Sequence, residues 1–240
     1  MAKTPLIVVF VFMITVTCNL SGTQCRSILT SSLVSSLIAG ADINVRPNAD
    51  PGSPSVNVSV NVMISGVRIQ DDNEEVMRLD GYLSMKWHDS RLQWEPAAYD
   101  GISQVRIPMD EIWTPDLTVY HSPDSQQKLF SEEHTIGVVY SNGDLLWVPK
   151  VTIFTYYNET KTNNGTLYQA KILIGSWVYD ANALDYPQET HPTVDHTDYH
   201  GQNFIIQNSS ITRQSATYPC CEEQYPRLEI TLEVLKTKKD

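Results

Sequence analysis

The sequence predicts an all-β sandwich preceded by one N-terminal helix. Three observations carry that expectation. Past residue 55 the apolar residues fall repeatedly into a period of two. Turn-forming residues interrupt those runs at short intervals. One stretch near the N-terminus instead repeats its apolar residues at i, i+4.

In chain order, Leu29, Leu33 and Leu37, with Val34 and Ile38, mark a short amphipathic helix over Arg26 to Gly40. Pro47 to Pro54 reads as a loop, being built of Pro, Gly, Asn, Asp and Ser. Val56, Val58, Val60, Val62 and Ile64 then alternate with Asn57, Ser59, Asn61 and Met63, the pattern of a strand with one buried face. Further strands are expected over 76–87, 136–140, 145–148, 151–157, 166–177, 204–217 and 228–235. In the last of these, Leu228, Ile230, Leu232 and Val234 alternate with Glu229, Thr231 and Glu233. Asn142-Gly143 between two apolar runs signals a hairpin. No internal repeat or second core is visible, so one domain is expected.

Ahead of the helix, Lys3 and the apolar run from Leu6 to Val16 read as a secretory signal peptide, with residues 1–24 removed and 25–240 forming the mature domain. The run is short of the roughly 20 apolar residues that span a bilayer. No other segment fits a membrane span, so the expected product is secreted and extracellular. Its 28 acidic against 17 basic residues give a net charge of −11. That balance argues against nucleic acid as a partner and favours cationic ligands.

Cys18 leaves with the signal peptide, and the fate of Cys25 is open. Cys220 and Cys221 are neighbours in an oxidising compartment: either they bond to each other and stiffen a loop tip, or they stay free or pair elsewhere. Four Asn-x-Ser/Thr sequons, at Asn57, Asn158, Asn164 and Asn208, are candidate glycosylation sites. Enzyme motifs are missing: no Gly-x-Ser-x-Gly, no phosphate-cradling glycine loop, no His-Glu-x-x-His. Nothing calls for a cofactor. His191, Asp195, His196, Asp198 and His200 resemble a metal cluster by composition, yet they sit in a polar stretch with no rigid element to fix them, so no metal is assigned.

The aromatic residues are more informative. Trp113-Thr114-Pro115-Asp116 precedes Tyr120, Gly175-Ser176-Trp177-Val178-Tyr179 closes a strand, and Tyr218-Pro219-Cys220-Cys221 leads to Tyr225. Rings on loops, one of them stiffened, suit a cage for a quaternary ammonium, because aromatic faces attract cations by roughly 0.5–2 kcal/mol each.

These blocks, with Leu92-Gln93-Trp94-Glu95-Pro96, resemble the acetylcholine-binding proteins and the extracellular ligand-binding domain of nicotinic, Cys-loop-type receptors. The resemblance runs from about Arg26 to Lys236. It implies an N-terminal helix on a ten-strand, immunoglobulin-like sandwich, assembled as a ring-shaped homopentamer with ligand sites between subunits. It implies that Tyr120, Trp177, Val178, Tyr218, Cys220, Cys221 and Tyr225 line the principal side of each site, with a Cys220–Cys221 bond. Tyr82 and Ser84 would supply the complementary side from the neighbouring subunit, with Val138, Leu146 and Val148 as its apolar positions. The expected ligand is small and cationic or zwitterionic. One departure is plain: the family's signature disulfide loop would run from about Asn158 to Ala170, and neither position is Cys. That loop is polar here, which points away from a protein that gates a pore.

Overall fold

The computed structural model describes residues 22–50, 52–70, 75–123, 129–130, 135–187, 192–201 and 203–237, with side chains described from Arg26 onward. Residues 1–21 of the expected signal peptide, with Cys18, the Cys25 side chain and His191, fall outside them, whereas residues 22–24 lie in the first helix.

Helix α1 (Gly22–Gly40) turns Leu33 and Leu37 into the core, while Ser31, Ser32, Ser35 and Ser36 face solvent. It starts four residues before the expected Arg26. Apolar spacing locates only the buried turns of a helix, not a polar first turn. Thirteen strands follow among the described residues: β1 (Val56–Asn57), β2 (Ser59–Gln70), β3 (Val76–Gln93), β4 (Gln104–Pro108), β5 (Leu117–Tyr120), β6 (Ile136–Tyr140), β7 (Asn142–Trp147), β8 (Lys150–Thr162), β9 (Gly165–Ser176), β10 (Leu184–Asp185), β11 (Val194–Asp195), β12 (Phe204–Tyr218) and β13 (Cys221–Thr237). Three of them, β1, β10 and β11, are two residues long; the others make a ten-strand sandwich.

One layer runs β2-β3-β7-β6-β4 and the other β9-β13-β12. β8 joins them: its first half pairs with β3, from Val76↔Tyr156 to Tyr82↔Lys150, and its second with β9, from Tyr157↔Ala170 to Thr162↔Gly165. β5 takes the remaining part of that β9 edge, pairing Leu117↔Ser176 through Tyr120↔Leu173. Between the layers lie the residues the alternation marked. Val56, Val58, Val60, Val62 and Ile64 are all buried, as are Leu228, Ile230, Leu232 and Val234. A buried carboxylate needs a partner. Asp89, 1% exposed, takes a two-pronged bond from Arg91, whose Nη1 also donates to the Val45 carbonyl at 2.8 Å and so ties the segment after α1 to β3.

The structure departs from the alternation in three places. The run expected as one strand over 56–64 is split, because β1 pairs in parallel with β10 while β2 pairs with β3. β4 and β5 gave no sequence signal; four or five residues with one or two buried positions are too short to show a period. The polar stretch after Asn158, expected as a loop without a bridge, is a continuation of β8 and β9 into a hairpin. Its main-chain ladder closes the segment that a disulfide would close.

Candidate functional site

The site is built on the end of β9 and the two segments that flank it. Ser176, 1% exposed, is held on every polar atom. Its N–H donates to the Tyr186 hydroxyl at 2.9 Å, and its carbonyl accepts from the Tyr120 hydroxyl at 2.6 Å. Its Oγ accepts from the N–H groups of Val178 and Tyr179. Asp116 adds a second clamp: Oδ2 accepts from the N–H groups of Trp177 and Val178, each at 3.1 Å. The backbone under Trp177 is therefore fixed, while its side chain is 69% exposed. A large ring is thus presented to solvent on a tied backbone.

Tyr120 lies against Trp177, with ring centroids 5.9 Å apart at 37°. Tyr120 also sits close over Gly175, where a β-carbon would stand 3.2 Å from Tyr120 Cε2 and 3.1 Å from the Pro226 carbonyl oxygen. The Tyr120 hydroxyl is pushed up to about 12, first by burial and then by Tyr218 and Asp116 nearby, against an opposing pull from Arg227. It stays neutral, and a donor, throughout the physiological range. Tyr186 is raised further, chiefly by burial.

The β12–β13 hairpin brings the other rings. Tyr218 pairs in register with Cys221, Ala216 with Tyr225, and the Tyr218 and Tyr225 rings meet edge-on at 5.3 Å and 70°. Cys220 and Cys221 are bonded to each other at the turn. Tyr120, Trp177, Tyr218 and Tyr225 thus make two ring pairs, and Tyr218 is close enough to Tyr120 to help hold its hydroxyl protonated. Behind them, Trp113 stacks edge-on against Trp87 at 6.3 Å and donates to the Tyr179 hydroxyl.

Tyr82, Ser84, Val138, Leu146 and Val148 come from the other layer. Val138 pairs with Leu146, Leu146 with Lys86, and Tyr82 with Lys150. Tyr82 (39%) and Val148 (41%) are exposed. Beside Leu146 opens a cleft of about 960 Å³, lined by Lys86, His88, Tyr140 and Asp144 among others, in which His88 Nδ1 and Asp144 Oδ1 lie 2.9 Å apart. The structure brings the first set together and the second set together. Among the described residues no ring contact joins the two sets.

Sequence reading missed the supports. Asp116 and Ser176 were visible in their motifs but had no role there; Tyr186 gave no signal, since a backbone clamp leaves no residue pattern. The polar histidine stretch contains β11, paired in parallel with β2. The Asp195 carboxyl is held below its usual range by hydrogen bonds from Thr197, side chain first and then backbone. No group of three or more metal-ligating side chains occurs among the described residues.

The model of the neurotransmitter-gated ion-channel ligand binding domain family matches residues 30–236. The chain belongs to this family. Over 163 residues the domain is 31% identical to neuronal acetylcholine receptor subunit alpha-2 of Pan troglodytes and of Mus musculus, and 29% identical to subunit alpha-4 of Gallus gallus. Each match covers 65% of this chain and 25–30% of the relative, so the chain spans less than a third of the length of the curated relatives it matches. No helix among the described residues of the domain is long and apolar enough to cross a membrane.

Proposed function

We propose that the chain is a secreted, non-enzymatic protein that holds small cationic or zwitterionic ligands in an aromatic cage between the subunits of a homopentamer. The observation that carries this reading is the cluster of Tyr120, Trp177, Tyr218 and Tyr225, with Trp177 displayed on a clamped backbone. The cluster is open to solvent on one side, as a site completed by another chain would be. The exposed Tyr82 and Val148, with the half-buried Val138 and Leu146, supply an aromatic and apolar counter-surface, with Ser84 on the same strand face as Tyr82. Since the relatives are named as acetylcholine receptor subunits, acetylcholine is the first ligand to try.

The test is titration calorimetry with acetylcholine and tetramethylammonium. Trp177→Ala should weaken binding at least tenfold without unfolding the protein, because that side chain is 69% exposed. Unchanged affinity would sink the assignment. Light scattering should give a five-subunit mass; a monomer would remove the between-subunit site.

A second reading is a receptor-like or accessory subunit with a divergent, non-cholinergic ligand. Glu222 and Glu223 favour it, exposed and acidic directly after the Cys220–Cys221 pair. Silence toward both probes, with the mass of a pentamer intact, would support it.

A further inference from the structure

Three of the four sequon asparagines share one region of the surface. Asn208 on β12 is opposite Glu233 on β13, Glu233 opposite Gln169 on β9, and Gln169 opposite Asn158 on β8. Residues directly opposite in neighbouring strands point to the same side. Asn158 and Asn208 thus stand on one outward face, three strand spacings or about 14 Å apart. Between them Gln169 donates to Glu233 at 2.8 Å. Asn164 lies at the tip of the same β8–β9 hairpin. All three are exposed, and none has a side-chain hydrogen bond among the described residues. Asn57 is elsewhere, lining the cleft beside Leu146.

Two neighbours give these positions work to do. Tyr156 precedes Asn158 by two residues on the same strand face, is 55% exposed, and lines with it, Gln169 and Lys171 a cleft of about 420 Å³. A flat exposed ring beside a sequon is a platform for the apolar face of a sugar. β12 is the edge strand of its layer, fifteen residues long and exposed over most of its length, with Ile205 at 51%. Long exposed edges pair with other chains unless they are blocked. Asn208 follows the register shift after Ile206, in the first third of that edge.

We propose that Asn158, Asn164 and Asn208 carry N-linked glycans that together cover the outward face of β8, β9, β13 and β12, the first sugar on Asn158 resting on Tyr156. This rests on the secretory part of the function proposed above. In the modification, the asparagine Nδ2 bonds to the anomeric carbon of a lipid-pyrophosphate-linked oligosaccharide. The bond from that carbon to the pyrophosphate breaks, the lipid pyrophosphate leaves with the electron pair, and the amide gives up one proton to it. The sugar-covered face is then closed to protein contact, which leaves subunit packing to the Cys220–Cys221 end of β12 and β13, where the ring cluster lies, and to the strands that carry Tyr82 and Leu146.

The test is secretion of the full chain from a eukaryotic host, with site occupancy read by peptide mass spectrometry. Occupied Asn158, Asn164 and Asn208 are expected; two or more bare sites overturn the proposal. Tyr156→Ala should lower the Tm of the glycosylated protein by roughly 2–4 °C, Tyr156→Phe should not, and the loss should vanish in an Asn158→Gln background. An equal loss in that background overturns the sugar contact. Asn208→Gln should shift secreted protein into aggregates, whereas Asn164→Gln should not. Probe binding by the same preparation separates the two readings. Bare sites with binding intact overturn the glycan face alone; glycans in place without binding overturn the cage alone.

Discussion

Replacing Asp116 by alanine is the sharpest test of how Trp177 is presented. Oδ2 accepts two N–H groups, from Trp177 and Val178, both at 3.1 Å. A hydrogen bond to an ionised acceptor is worth about 1.5–3 kcal/mol net. Here both donating residues are exposed, so water can replace much of what the carboxylate gives, and the pair together should be worth about 2 kcal/mol. The ligand would have to restore that order when it binds, so affinity should fall about 30-fold. Asp116→Asn separates geometry from charge, because its carbonyl oxygen can still accept both bonds; it should lose no more than about threefold. Calorimetry with acetylcholine or tetramethylammonium reads both variants, and circular dichroism checks that each is folded. Wild-type affinity in Asp116→Ala would refute the clamp. An Asp116→Asn variant as damaged as the alanine variant would show that the charge itself, not the hydrogen-bond geometry, is what acts.

Reducing the Cys220–Cys221 bond should weaken ligand binding while moving the Tm very little, since a bridge between neighbours closes almost no loop in the unfolded chain; a large fall in Tm by calorimetric scan would contradict this. Burial alone would raise the Asp80 carboxyl, but hydrogen bonds from Arg78 and Thr152 outweigh it and hold it below its usual value. A depressed carboxyl stabilises the fold above its unfolded pKa of about 3.9 and loses that effect as the pH falls through the folded value. Asp80→Asn should therefore lower the Tm most at neutral pH, with the difference from the wild type shrinking as the pH falls below about 3.9; a loss that is the same at neutral pH and in acid would refute it. Leu33→Ala should cost about 2–5 kcal/mol by denaturant unfolding, because the side chain is 1% exposed under α1; a loss below about 1 kcal/mol would show that the helix is not packed as described.

Much of the fold was legible because burial imposes a period. Val56 to Ile64 and Leu228 to Val234 could be read as strands, and Leu33 and Leu37 as the buried stripe of a helix, since each pattern records which side of an element meets the core. The ring residues were legible for a different reason: Trp113-Thr114-Pro115-Asp116, Gly175-Ser176-Trp177 and Tyr218-Pro219-Cys220-Cys221 are local motifs, each contained in a few consecutive residues. β5, which carries Tyr120, is too short to show alternation, so its strand character became visible only in its pairing with β9.

The sequence alone determined the residue types, the sidedness of the long strands, the adjacent cysteines and the sequons. Tertiary structure alone decided which of these meet. The Ser176 clamp draws on Tyr120 and Tyr186, 56 and 10 residues away. The row from Asn208 to Asn158 crosses four strands. The physical reason is the same in both cases. A period of two records how a strand faces the core, but pairing register between distant strands leaves no mark in either strand taken singly.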